Sequence, residues 1–305
     1  MPCSTAKETT ACTFIGGGVL ARCMIDGLLD NKHDSNLVIR VTGRRSDHVK
    51  DLAARYPSLV VSLGNRLPTL WDNPWHKLEK SPTAHVILIC TQPWATRDVC
   101  EDIQYVYSRW DIYPKPIFVT MCPGITTSQL ESWLPAGASI MRTMPNTPVA
   151  VRQGATAMFA NKAVTAQQVA IVADLFRAVS PQVSLVGQES GIDVAASISG
   201  SSPAYLFKLL SALVEAGVSH GLAPDTAAAL VKQSGLGAAI QALQDGRSLQ
   251  SLIEDVCAPG GSTEKAMARL EQGAFSAVVT AAVEKSLDAN RAMGKDDMTK
   301  VSSHV

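Results

Sequence analysis

Two short stretches of the chain carry residue types at spacings that could do chemistry. In FIGGGVLARCMIDGLL, residues 14–29, Gly16, Gly18 and Ala21 follow the spacing G-x-G-x-x-A. A glycine at 16 lets the chain turn tightly, and one at 18 lets the backbone approach a pyrophosphate. A small residue at 21 lets a helix lie close on a strand. Val19 and Leu20 open that helix, whose first N–H groups would face the phosphates. A plain glycine bend shares this spacing. The second stretch, Pro259-Gly260-Gly261-Ser262-Thr263-Glu264, leaves one helical run and opens another. Its two glycines and a helix N-terminus offer backbone N–H groups, a cradle for a carboxylate without a dedicated arginine. The competing reading is that Ser262 or Thr263 only caps the helix.

A phosphate-binding turn must end a strand and begin a helix, and the surrounding pattern supplies both. From Cys12 to about Val186, eight apolar β-rich runs alternate with helical segments: TFIGG, NLVIRVTG, LVVSLG, AHVILICT, PIFVTM, SIMRTM, GATAMFA and QVSLVG. This alternation predicts an α/β fold with a mostly parallel sheet covered on both faces, an N-terminal Rossmann-type dinucleotide-binding domain over residues 1–187. Beyond Gly187 the strand signal ends, and residues 188–293 predict an all-helical dimerisation domain. Its first long helix is expected to have Ser202 as N-cap and Pro203 at the first helical position. Several of these helices are apolar nearly all round, which predicts burial in something larger than one small helical domain, such as an intertwined homodimer. The polar stretch 294–305 is expected to be disordered.

The second strand decides between cofactors. Where a unit binding NAD would place an acid for the ribose 2′-hydroxyl, this chain has Gly43, Arg44, Arg45 and Ser46. Two guanidinium groups and a hydroxyl suit a 2′-phosphate, so NADPH is the expected cofactor.

Composition excludes several classes. The 305 residues have a formal net charge of +0, which gives no electrostatic reason to bind nucleic acid or an anionic membrane. The seven cysteines form no C-x-x-C pair and no Cys/His cluster, so neither a metal site nor a disulfide framework is expected. The opening MPCSTAKETTA is polar and no apolar run is long enough to span a bilayer, which predicts a cytoplasmic protein. No internal repeat is visible.

Three further blocks carry a specific resemblance: SIMRTMPNTPVAVRQGATAMFAN (139–161), ISGSSPAYLFKLLSALVEAGVSHGL (198–222) and VCAPGGSTEKAMARLEQGAF (256–275). With FIGGGVLARCMIDGLL they resemble, in order and spacing over about residues 12–293, the signature blocks of the pyrroline-5-carboxylate reductase family. The resemblance implies reduction of a cyclic imino acid by NADPH to proline or a proline-like product. It also implies a homodimer through interlocked C-terminal helices, with further assembly of dimers. By the same resemblance, Thr263 would hydrogen-bond the ring nitrogen and relay a proton. Ala258, Gly260, Gly261 and Ser262 would form the rest of the substrate loop. Gly16, Gly18, Val19 and Leu20 match the phosphate turn, and Asn65 falls near the adenosine. Thr91, Gln92 and Pro93 lie beside the cofactor, and Asn146 lies in the M-P-N-T-P turn beneath the nicotinamide.

Some positions depart from the family pattern. Gln92 replaces a lysine, Cys122 and Pro123 are new, Ser202 replaces a glycine and Ala258 a serine. Drift and a substrate with a modified ring both account for the cluster. A methyl-substituted pyrroline carboxylate is expected to suit the more apolar wall at Ala258. His85, His220, Trp71, Trp75, Trp94, Trp110 and Trp133 have structural readings, and the stretch 70–84 has no assigned role. Two other functions stay open on the residues. One is a β-hydroxyacid-dehydrogenase-like oxidoreductase, although Lys208 and Lys232 lack the G-x-x-x-K setting of its general acid. The other is a non-catalytic NADP-binding regulatory protein.

Overall fold

The computed structural model describes residues 10–30, 37–71, 84–110, 112 and 114–294. The expectations for the polar opening, for most of the 70–84 stretch and for the tail beyond Gly294 lie outside the described residues.

Eight strands form one sheet: β1 (Thr10–Ile15), β2 (Leu37–Gly43), β3 (Val60–Leu63), β4 (Ala84–Ile89), β5 (Ile117–Thr120), β6 (Ser139–Met144), β7 (Ala155–Ala160) and β8 (Gln182–Leu185). Their order is β3-β2-β1-β4-β5-β6-β7-β8. All pairs are parallel except β6 with β7. Near-continuous apolar runs become parallel strands because helices cover both faces. Phe14, Val41, Val86, Leu88 and Val119 lie in one core. Their neighbours in sequence, Ile15, Ile87, Ile89 and Phe118, lie in a second core on the opposite face. Each fully buried side chain of this kind contributes roughly 1.5–3 kcal/mol.

Seven helices accompany the strands: α1 (Val19–Asp30), α2 (Ser46–Arg55), α3 (Pro68–Trp71), α4 (Pro93–Tyr107), α5 (Thr127–Trp133), α6 (Ala166–Arg177) and α7 (Ser190–Ala195). Local sequence fixes several starts. Thr126 with Gln129, and Thr165 with Gln168, form reciprocal capping boxes that satisfy the first amides of α5 and α6. Gly27 lets α1 approach the 3₁₀ turn Thr147–Val151, since a Cβ there would stand 2.2 Å from the Val149 carbonyl oxygen. Arg142 of β6 is buried and bonded to Glu189 (3.0 Å) and Asp193 (2.9 Å), which fastens α7 to the sheet.

Contacts divide the chain into two compact units, one of residues 1–200 with 286–305, the other of residues 201–285. The second unit contains α8 (Ser202–Ser219), α9 (Pro224–Gln244), α10 (Leu249–Val256), α11 (Ser262–Gln272) and the first part of α12 (Phe275–Met293). Ser201, not Ser202, is the N-cap of α8, so Pro203 is the second helical residue; the earlier start follows from the π-turn Ala196–Gly200 that runs into it. Helices α8 and α9 pack closely at glycines, with Gly235 against Leu210 and Gly217 against Ala227. Among the described residues, α10, α11 and α12 bury no side chain, and Phe207, Leu230, Leu236 and Leu243 stand exposed. The end of α12 belongs to the first unit, where Gly294 and Gly124 meet backbone to backbone. Gln129 donates to the Gly294 carbonyl (3.1 Å), and Asn290 donates to Ser197 (3.2 Å).

Candidate active site

Strand order reverses direction at β1 and β4, the place where doubly wound sheets open a crevice at the carboxyl ends of their strands. A cavity of about 460 Å³ lies at that point, lined by the ends of β1 and β2 and by the turn after β4. Gly16 leaves β1 at φ 100°, in the left-handed region, and a Cβ there would crowd the Cys90 carbonyl oxygen at 3.0 Å. At Gly18 an added Cβ would meet nothing within 4 Å, so this glycine leaves open space for a close ligand rather than room for packing. The turn is pinned from the β2 side. The Gly16 N–H donates to Thr42 (3.3 Å), and His48 Nε2 lies 3.1 Å from the Gly17 carbonyl oxygen.

Thr42 in turn donates to Asn65 Oδ1 (2.9 Å), and the Asn65 amide donates to Asp102 (3.0 Å). Trp71 donates its indole N–H to the Asn65 carbonyl. Asn65 therefore lines the cavity with its polar ends already engaged, so its contribution is to fix the rim. Arg44 and Arg45 also line the cavity, in different settings. Arg45 forms an exposed ion pair with Asp47 (3.3 Å). The Arg44 guanidinium carbon sits 4.6 Å from the centroid of the Trp94 ring.

Thr91 and Gln92 complete the wall. Cys122 donates its thiol to the Thr91 carbonyl (2.8 Å) and contacts Thr96 (3.3 Å), so the unexpected cysteine holds the β4–α4 turn from below. Burial pushes the Cys90 and Cys122 thiols above their ordinary value and Cys100 up to about 12. All three stay neutral thiols and supply no nucleophile.

The other predicted cofactor residues do not line this cavity. Val19 is exposed on the first turn of α1, and Leu20 packs on the sheet core. Ser46 begins α2, and Pro93 is the buried first residue of α4. Asn146 bridges segments instead: its Oδ1 accepts from the Ala155 N–H (2.9 Å), and its amide donates to the Ser199 carbonyl (3.2 Å). Thr42 and His48 were not singled out by sequence reasoning. Thr42 could have been found as the polar residue just before the glycine that ends β2.

The loop before α11 differs from the sequence expectation in one respect. Its glycine amides are not open donors. The Gly261 N–H donates to the Ala258 carbonyl (2.9 Å), closing a tight turn, and the Gly260 N–H donates to Glu264 Oε2 (2.8 Å). Both glycines are still required: Gly260 has φ 73°, and a Cβ at Gly261 would stand 2.8 Å from the Ala258 oxygen. The N-cap of α11 is Gly261, with no side-chain cap. Ser262 and Thr263 are therefore the first two helical residues, and neither hydroxyl is spent on capping. The half-buried Thr263 hydroxyl makes no hydrogen bond among the described residues. No cluster of His, Cys, Asp and Glu suited to a metal occurs among the described residues, and no helix there is long and apolar enough to cross a membrane.

A glycine turn at the switch point of a mostly parallel sheet, with a helical unit following, defines a Rossmann-type dinucleotide-binding protein. Comparison with known proteins narrows the class. A family model described as pyrroline-5-carboxylate reductase dimerisation matches residues 189–293. The chain is 76% identical over 296 residues to delta-1-pyrroline-5-carboxylate reductase apf3 of Gibberella fujikuroi, covering 97% of this chain and 100% of that one. It is 31% identical to the pyrroline-5-carboxylate reductase of Corynebacterium melassecola, over 94% and 99% of the two chains. Among solved structures, a pyrroline-5-carboxylate reductase from Coxiella burnetii superposes with a TM-score of 0.76 at 33% identity, covering 92% of this chain and 97% of that one. The chain belongs to the pyrroline-5-carboxylate reductase family.

Proposed function

We propose that this protein reduces a cyclic imino acid, pyrroline-5-carboxylate or a ring-substituted analogue, to proline or the matching proline analogue with NADPH. The observation that carries the reading is full-length likeness to the fungal reductase together with an intact P-G-G-S-T loop whose threonine is free of capping duty. Residues 1–187 serve as the NADP(H)-binding domain and 188–293 as the dimerisation and substrate domain. The apolar side chains exposed on α8 and α9 support a homodimer, with higher assembly of dimers. The enzyme works in the cytoplasm, without nucleic acid or membrane partners.

The cavity fits the cofactor's adenosine and pyrophosphate. Gly18 leaves space for a phosphate to reach the backbone, the first amides of α1 favour its charge, and Arg44 and Arg45 offer donors for a 2′-phosphate. With NADPH held there, the chemistry it would supply is a hydride for the C=N carbon. Thr263 orients the imine by its hydroxyl and relays a proton from water to the ring nitrogen, which becomes the secondary amine once the carbon has taken hydride. The first turn of α11, with the amides of Ser262 and Thr263, receives the substrate carboxylate. Asn146 acts at one remove, by holding the M-P-N-T-P turn rigid. Positioning and charge stabilisation suffice for this chemistry, since a protonated imine accepts hydride without a covalent enzyme intermediate.

The test is direct. Purified protein is incubated with NADPH and a panel of cyclic imino acids differing in ring size and substituent, and cofactor oxidation is followed. Stoichiometric formation of the cyclic amino acid supports the reading; no turnover with any imine, with reduction of NADP+ by a hydroxy acid in a parallel assay or without it, overturns it.

A further inference from the structure

The contact between Arg44 and Trp94 sits at the mouth of the cavity, and the two residues come from different elements. Arg44 follows β2 directly, while Trp94 is the second residue of α4, more than half exposed (58%). An exposed tryptophan on the first turn of a helix has no packing role to explain it. Arg44 also differs from its neighbour. Arg45 is matched by Asp47, whereas Arg44 makes no ion pair among the described residues and instead lays its guanidinium over the indole at 4.6 Å.

That geometry has a chemical consequence. A guanidinium stacked face-on keeps the N–H donors on its edge available, because the ring takes up its π face and not its hydrogen-bonding plane. A phosphate monoester is bound through that edge, in a fork of two parallel N–H···O bonds. An arginine on an open loop otherwise loses rotamer freedom when it binds, a cost that a prior contact reduces. We propose that Trp94 is the positioning residue for cofactor discrimination: its indole holds Arg44 flat at the cavity mouth, with its donors set for the 2′-phosphate of NADPH. Trp94 itself touches no phosphate, and acts only through Arg44. This rests on the assignment of the cavity to the cofactor.

Four variants separate the possibilities: Arg44→Ala, Trp94→Ala, Trp94→Phe and the double variant Arg44→Ala/Trp94→Ala. Michaelis constants are measured for NADPH and NADH, and binding of 2′,5′-ADP and 5′-AMP is measured by calorimetry, which needs no turnover. Trp94→Ala is expected to weaken NADPH relative to NADH by about twofold to fivefold, the range for an exposed cation–π contact. Trp94→Phe should recover part of the loss, and the double variant should discriminate no less than Arg44→Ala alone, since the tryptophan has nothing left to position. Equal changes for 2′,5′-ADP and 5′-AMP, or additive effects in the double variant, overturn the role of Trp94. If Arg44→Ala weakens 2′,5′-ADP while Trp94→Ala does not, the cavity holds the 2′-phosphate and Trp94 is idle. If Arg44→Ala itself leaves both ligands unchanged, the cavity assignment fails and this inference with it.

Discussion

Replacing Thr263 by alanine distinguishes catalysis from architecture because the structure separates the two. Were Thr263 an N-cap, its loss would cost about 1 kcal/mol of stability. The cap is Gly261, however, and the hydroxyl has no partner among the described residues, so no hydrogen bond within them is broken. Alanine is also a better helix former than threonine by up to about 0.7 kcal/mol. The variant should therefore melt at or slightly above the wild-type temperature and bind NADPH unchanged. Turnover should fall about 100-fold or more, the usual size of a lost proton-transfer group, which corresponds to about 2.7 kcal/mol of barrier. Thr263→Ser, which keeps the hydroxyl, should retain most of the rate. The assay pairs thermal melting with steady-state kinetics at saturating NADPH. Turnover of Thr263→Ala within threefold of wild type, or a serine variant as slow as alanine, would refute the assignment.

Four other outcomes follow from particular contacts. Wild type should reduce a methyl-substituted pyrroline carboxylate at least as efficiently as the unsubstituted ring, and Ala258→Ser should shift the ratio of specificity constants toward the unsubstituted ring by about twofold to tenfold; an unchanged ratio in the variant would remove Ala258 from the substrate wall. Glu264→Gln removes the charge resting on the Gly260 amide. It should lower the Michaelis constant for the imino acid by a factor of about two to five with NADPH unaffected; a raised constant would make Glu264 a support of the loop instead. Burial, and then the Arg40 charge, hold His85 down to about 3 from 6.5, so below pH 6.5 the unfolded chain takes up a proton that the folded one refuses. Stability should fall by roughly 1.4 kcal/mol per pH unit between these values. In urea titrations His85→Gln should lack that component, and superimposable pH profiles would assign the loss elsewhere. Gly124→Ala forces a left-handed residue against Gly294, 2.5 Å from its amide nitrogen, and should lower the melting temperature by at least about 2 °C; an unchanged melting temperature would mean that the end of α12 is not held there.

The sheet was legible because its strands are apolar on both faces, which leaves little else such runs can be. The glycine turn was legible too, since Gly16 and Gly18 have distinct jobs that only glycine performs. Helix α10 was legible only as the helical run before Pro259, although Leu249, Leu252, Ile253 and Val256 stand at helical spacing along it. The engagement of the Gly260 amide was local, and a glutamate at the third helical position is a known partner for amides before a helix. The stacking of Arg44 on Trp94 joins residues fifty positions apart and had no signature in either neighbourhood. The same holds for the buried cysteine under Thr91, whose value lies in a contact across two strands.

The last described residues of the chain finish the first unit, not the second. During synthesis the strands and helices up to Gly200 leave the ribosome long before Ser286–Gly294 exist, yet the turn at Gly124 and the side chains of Gln129 and Ser197 each gain a contact from that final piece. The nucleotide-binding unit thus stays incomplete while the whole helical unit is made, although domains ordinarily fold from the N-terminus as they emerge. Completion of one unit certifies that the other has been translated through. A message cut short inside the helical region yields a chain whose first unit, too, lacks its closing segment and leaves the turn at Gly124 without it.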